Sequence, residues 1–288
     1  MAGGRTSQRG LTMKFKVIAL ATAAALAVGG SAHAAASLVA SYGFNSTLAS
    51  SVGGPALTAV DPTAGASYVT DTVNGVTRTV YQTAGSTTPA LQGGLNFDGT
   101  GLISNANGYS VELTFEFLTR DGAWRRILDS LDRTSDNGFY ADPNNDLDVY
   151  PVTGSTAGFV ADAYRNVVIT VDPNAVTDNV HAYIDQGSNL VATTNVMNLT
   201  EGSLTNPNDL LGLFLDNTAG GGQGEWSAVR VATVNVFSGV LTQDQADAFD
   251  GQTFSAGVPE PTAWAMMLAG FGGLGALLRR RRAQAAFA

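Results

Sequence analysis

The chain has no cysteine in 288 residues. That excludes a disulfide framework, thiolate metal sites and cysteine nucleophiles. Lysine is nearly absent as well, with Lys14 and Lys16 the only two. Histidine is limited to His33 and His181, and neither has a catalytic partner nearby in the sequence. Between Ala35 and Gly257 seven cationic residues, all arginine, face twenty-three acidic ones, a net charge of −16. Phosphate binding needs a basic surface, so nucleic acid is excluded as a partner. Such an acidic body suits a soluble extracellular setting and can attract cations.

The two ends are patterned differently. Arg5, Arg9, Lys14 and Lys16 form a positive leading segment, followed by an apolar run from Val17 to Val28 and small residues from Gly29 to Ala36. Ala32-His33-Ala34 has the small-x-small pattern that signal peptidase requires. Residues 1–34 are therefore expected to be a signal peptide with a short helix, cleaved after Ala34; Met13 begins a shorter form of the same signal. About 220 residues then remain before the other patterned end, enough to bury a core without disulfide links.

At the C-terminal end Val258-Pro259-Glu260-Pro261 precedes an apolar stretch from Thr262 to Leu278 and then Arg279-Arg280-Arg281-Arg282. A basic cluster after an apolar span stays cytoplasmic, which predicts a short transmembrane helix with the domain outside. The segment 257–282, read as VPEPTAWAMMLAGFGGLGALLRRRR from Val258, resembles the PEP-CTERM sorting signal. That resemblance implies recognition by an exosortase, with cleavage near Pro259-Glu260-Pro261 and release or transfer of the domain. The family is associated with Gram-negative bacteria that make extracellular polysaccharide. The expected course is anchoring in the inner membrane during transit, then the cell surface or extracellular matrix. An ordinary C-terminal anchor is the alternative.

The middle is β in character. Short runs of Val, Ile, Tyr, Phe and Thr alternate with Gly, Asn, Asp and Pro, as in Ser110–Leu118, Asn166–Val171, Val180–Ile184, Leu210–Leu215 and Ala228–Phe237. Val167–Val171 is apolar at nearly every position, the pattern of a strand covered on both faces. Asn74-Gly75, Asp98-Gly99, Asp121-Gly122 and Asn137-Gly138 read as turns. Gly220–Gly224 reads as a flexible loop, and Thr242–Phe249 as one or two turns of helix. Many short strands with little helix predict two packed antiparallel sheets.

Several segments, taken in order, resemble the laminin-G-like, concanavalin A-like domains: LVASYGFN (38–45), LNFDGTG (95–101), GYSVELTFEFLT (108–119), YRNVVITVD (164–172), NVHAYIDQG (179–187) and EWSAVRVATVNVFSGVLTQDQADAF (225–249). The resemblance covers residues 37–250 and implies an all-β jelly-roll sandwich. Tyr164 stands where tryptophan is common, and Ser227 where aspartate often lies in the closing strand, which weakens a family-type calcium site. Such a fold serves lectins, adhesion modules, glycosidases and structural domains alike.

Three constellations carry possible chemistry. In ELTFEF, Glu112 and Glu116 share one strand face by alternation. A retaining glycosidase would use two such carboxylates as nucleophile and general acid. The middle position, normally Asp in that resemblance, is Thr114. The alternative is that Glu112, Thr114 and Glu116 line a polar concave sheet face. In the second constellation, Asp136, Asp142, Asp146 and Asp148 lie in an acidic loop whose oxygen ligands suit calcium, although Asp and Asn also dominate ordinary turns. In the third, Trp124, Tyr140, Tyr150 and Trp226 lie near polar loops, where planar rings can meet sugars or pack inward. The expectation is a non-enzymatic surface or matrix protein that binds extracellular polysaccharide, with calcium a possible cofactor. A glycan hydrolase and a purely structural surface domain are the alternatives.

Overall fold

The computed structural model describes residues 35–154, 159–185, 188–200, 209–220 and 222–249. The expected signal helix, its cleavage residues Ala32 and Ala34, and the segment 257–282 lie outside them. Among the described residues no helix is long and apolar enough to cross a membrane.

Two antiparallel sheets form the domain, as the strand pattern predicts. The first sheet runs in the order β13 (Ser188–Ala192), β12 (Val180–Ile184), β11 (Arg165–Val171), β6 (Tyr109–Phe117), β15 (Val229–Ser238), β4 (Val76–Thr83) and β3 (Ser67–Val73), with β1 (Ser37–Tyr42) also paired to β15. The second runs β10 (Thr153–Gly154), β9 (Leu147–Tyr150), β8 (Gly138–Ala141), β7 (Arg125–Asp129), β14 (Leu210–Leu213), β5 (Gly94–Asp98) and β2 (Thr58–Val60).

Alternation assigns the faces. On β6 the odd positions Tyr109, Val111, Leu113, Phe115 and Phe117 enter one apolar core with Val167 and Ile169 of β11 and Val234 and Val236 of β15. The second sheet adds Leu95, Phe97, Ile127, Phe139, Leu147 and Val149 to the same core, so the sheets pack face to face as a jelly-roll-like sandwich. At its centre Phe115 packs on Phe159 and Phe214, with ring centroids 5.7 and 4.9 Å away.

β11 lies between β6 and β12 and is buried from Asn166 to Val171, as its unbroken apolar run predicts. On its outer face Val168 joins Tyr183, Phe237, Leu241 and Ala246 under the short helix α1 (Gln243–Asp247). Thr242 starts that helix with a reciprocal capping box to Gln245. The β3–β4 turn is Asn74-Gly75 with φ of 50° and 80°, the left-handed pair that matches strand twist. Gly138 departs from expectation. It lies within β8 instead of a turn, and its role is a close approach described below.

Candidate functional site

Alternation does place Glu112 and Glu116 on one face of β6, opposite the core. That face is polar, as the alternative reading has it, and enclosed: Glu112 is 0% and Glu116 5% exposed. Glu112 accepts hydrogen bonds from Thr114 Oγ1 at 2.9 Å, Thr233 Oγ1 at 3.2 Å and Asn235 Nδ2 at 2.7 Å, and from Asn166 Nδ2. Register explains the company: Val168 and Asn235 sit directly opposite Glu112 on β11 and β15, and Asn166 and Thr233 opposite Thr114. Burial pushes the Glu112 carboxyl up, against those donors. Glu116 accepts from Arg230 at 3.2 Å, and Arg230 also bonds Asp71 at 3.0 Å. Burial first, then the Asp71 charge, pushes Glu116 up. Both carboxylates are thus engaged in a polar network that ties β6 to its neighbours.

Of the aspartates proposed for calcium, Asp142 lies close enough to Asp146 and Asp148 for its charge, after burial, to raise both carboxyls, while Asp136 bonds Gly222. Among the described residues no three acidic or histidine side chains converge as a metal ion requires. Asp142 Oδ1 accepts from the backbone N–H of Asn144 and Asp146, both at 2.8 Å, so it closes the β8–β9 turn. Asp136 lies before β8, where its Oδ2 accepts from Gly222 N at 2.8 Å. Asp148 stands opposite Tyr140, and burial with the Asp142 charge pushes its carboxyl up to about 6. Asp142 thus serves its own turn, as short acidic side chains commonly do.

What the fold does bring together is aromatic. Trp124, Asp136, Tyr140, Tyr150 and Glu225 line a cavity of about 90 Å³. On β8 and β9, Phe139 and Val149 point into the core, so Tyr140 and Tyr150 point outward. Arg126 pairs with Tyr140 across β7 and β8, and Trp124 precedes it by two residues on the same side. The rings are nearly perpendicular. Trp124 meets Tyr140 at 5.7 Å and 87°, and Tyr150 at 5.5 Å and 74°.

The support beneath these rings is charged. The Arg126 guanidinium lies 5.0 Å from the centre of the Tyr140 ring. It donates to Asp129 Oδ1 at 2.8 Å, to Ser135 O at 3.0 Å and to Asn137 O. Gly138 permits this: a Cβ there would fall 2.5 Å from Arg126 Nη2. Tyr140 itself donates its hydroxyl to Asp136 O at 2.6 Å.

Nearby, Gly220 and Gly222 are held by hydrogen bonds. Asn217 Nδ2 donates to Gly222 O at 2.8 Å and to Gly220 O, while Asp136 takes the Gly222 N–H. Glu225 is tied at its backbone, donating N–H to Asp216 Oδ2 at 3.1 Å and accepting from Arg126 N at 2.9 Å. Its side chain accepts from Gly224 N at 2.9 Å. Burial and the adjacent Asp216 carboxylate push Glu225 up to about 7. Trp226, the fourth aromatic considered, is elsewhere: it packs over Gly85 and beneath the Arg120 guanidinium, 4.6 Å from its ring. Sequence reasoning had no signal for Glu225 as a partner of Trp124; only the pairing of residue 225 with residue 126 shows it.

Comparisons with known proteins agree with this architecture. Residues 257–282 match the family of the PEP-CTERM protein-sorting motif. The chain carries that motif, which implies export and membrane-anchored transit through the exosortase pathway. No match was found among curated proteins. Among solved structures the chain is similar to domain 4 of AbnA, an extracellular arabinanase from Geobacillus stearothermophilus, in complex with arabinotriose. That similarity has 17% identity and a TM-score of 0.52, covering 74% of this chain and 98% of the other. It is also similar to the binding domain of Paraclostridial Mosquitocidal Protein 1, at 12% identity and a TM-score of 0.49, over 73% of this chain and 51% of that one. At such identities the likeness concerns the fold alone. The chain thus joins a β-sandwich to a sorting motif of the exosortase pathway.

Proposed function

We propose that this is a non-enzymatic surface or matrix protein whose sandwich binds extracellular polysaccharide through the cavity of Trp124, Tyr140, Tyr150, Asp136 and Glu225. One observation carries the proposal: three aromatic rings and two carboxylates meet on the outer face of a rigid sheet. Sugars present apolar C–H faces and polar edges together, and such a mixed wall meets both. Tyr150 is 38% exposed, so a chain longer than the cavity can lie across it. A sandwich of similar fold holds arabinotriose, so the fold is compatible with a short glycan.

After transit in the inner membrane, the domain resides at the surface or in the matrix of a Gram-negative-type cell. Signal peptidase removes 1–34, and exosortase acts near Pro259-Glu260-Pro261. Mass spectrometry of the protein taken from the cell exterior should find Ala35 first and an end near residue 260. Binding is tested with the producing cell's own exopolysaccharide. Wild type should retain it, with or without a calcium chelator, and Trp124→Ala and Tyr150→Ala should lose it. Equal retention by all three proteins would sink the cavity as the contact. Release of reducing sugar, lost in Glu112→Gln, would make the protein a hydrolase instead.

A further inference from the structure

The cavity is about 90 Å³, well under the roughly 300–1,000 Å³ of a pocket that swallows a small molecule. It therefore takes one pendant group of a glycan, with the remaining chain outside. The character of that group follows from the walls. Asp136 and Glu225 are the acidic residues that line it, and among the described residues no Arg, Lys or His does. The nearest guanidinium on this face, Arg126, is 1% exposed and committed to Asp129 and two backbone carbonyls beside Tyr140. Asp136 is fixed at Oδ2 by Gly222, while its Oδ1 has no hydrogen-bond partner among the described residues. A carboxylate held in place with a spare acceptor invites a donor. Aromatic faces beside carboxylates favour a cation over a neutral donor, because the ring quadrupole adds attraction. The surrounding domain, at −16 between Ala35 and Gly257, repels uronates and sulfates and draws cations inward.

We infer that the cavity receives a pendant ammonium group, so that the polysaccharide recognised is one carrying amino sugars with free, unacetylated amines. The inference rests on the glycan-binding proposal and narrows it. The ammonium nitrogen seats against the Trp124 and Tyr150 rings and donates to Asp136 and Glu225. N-acetylation removes the charge and adds bulk that a cavity of this size does not take.

The experiment uses the full-length chain and four oligosaccharides of equal length: glucosamine, N-acetylglucosamine, glucose and galacturonic acid. Calorimetry or surface resonance at neutral pH and low salt should give the glucosamine oligomer an affinity at least about tenfold above its N-acetylated counterpart, with the uronate weakest. Asp136→Asn with Glu225→Gln, both near-isosteric, should collapse that preference. Equal or tighter binding of the N-acetylated oligomer overturns the inference with no variant needed. So does a preference that survives in the double variant, or equal capture of polylysine. If no oligosaccharide binds but native exopolysaccharide is retained by wild type and lost in Trp124→Ala, the amine inference fails and the glycan-binding proposal stands. If no glycan of any kind is retained, both fail.

Discussion

Arg126 donates to Asp129 across 2.8 Å with both side chains at 0% exposure. The pair sits on the outer face of the second sheet and holds up Tyr140 from behind. Removing one member of a buried pair strands the other charge, a loss of roughly 3–5 kcal/mol. Asp129→Ala should therefore lower unfolding free energy in urea by about that amount. Replacing both residues with apolar ones of similar volume should recover much of the stability, because the desolvation penalty disappears with the charges. It should not recover glycan retention, since the Tyr140 support is gone. A double variant that stays as unstable as Asp129→Ala would count against the pair as the cause.

Gly138→Ala probes the same support from the other strand. The new methyl would lie 2.5 Å from Arg126 Nη2 and 3.0 Å from Nε. A free arginine tip would swing aside, but this one is held by Asp129, Ser135 O and Asn137 O. The expected loss is about 1–3 kcal/mol, the usual range for overpacking a filled site. Thermal unfolding reads it, and an unchanged melting temperature would show that the guanidinium is mobile.

These relationships also mark how far the sequence reaches. Alternation in YSVELTFEF puts Val111, Leu113 and Phe115 inward and Glu112 and Glu116 outward, and both hold. What alternation does not tell is which neighbours a strand acquires. Asn166 and Asn235, the amides that engage Glu112, are 54 and 123 residues away and reach it through two separate strand pairings. The cavity was half visible for the same reason. Tyr140 and Tyr150 lie on the adjacent strands β8 and β9 and Trp124 immediately precedes β7 of the same meander, but Glu225 arrives through a long-range pairing. In the acidic loop composition does not separate the two uses of an aspartate, binding an ion or bonding its own turn as Asp142 does.

Glu225 makes a pH dependence. Its folded carboxyl titrates at about 7 against an ordinary 4.5, raised first by burial and then by Asp216. A raised carboxyl favours the folded state where it keeps its proton. That contribution is full below about pH 4.5 and is lost as pH rises to about 7, where the unfolded chain has already ionised. Asp148, raised to about 6, slopes the same way over a lower window. Both groups are partly open to water, so the slope should be shallow. Stability measured from pH 4.5 to 7.5 should fall, and Glu225→Gln should flatten the upper part of that fall. A rise in the same window would mean that the Glu225–Asp216 contact does not raise the carboxyl.

The Glu112 network separates structural from catalytic use of the same strand. Glu112→Ala leaves Asn235 Nδ2 and Asn166 Nδ2, which now donate to it, with a lost acceptor. Each buried donor left unsatisfied costs about 1–3 kcal/mol, so the variant should be destabilised by several kcal/mol or fail to accumulate. Glu112→Gln keeps the volume and one acceptor oxygen and exchanges a buried carboxyl, already pushed up by its surroundings, for a neutral group. It should lose far less stability than Glu112→Ala and retain exopolysaccharide as wild type does. The reason is geometric: Glu112 is fully enclosed on the first sheet, whereas Tyr150, 38% exposed, opens the cavity to solvent on the outer face of the second and Tyr140 lies buried behind it. Glycan retention lost in a folded Glu112→Gln protein would move the binding site to the first sheet and overturn the assignment made to the cavity.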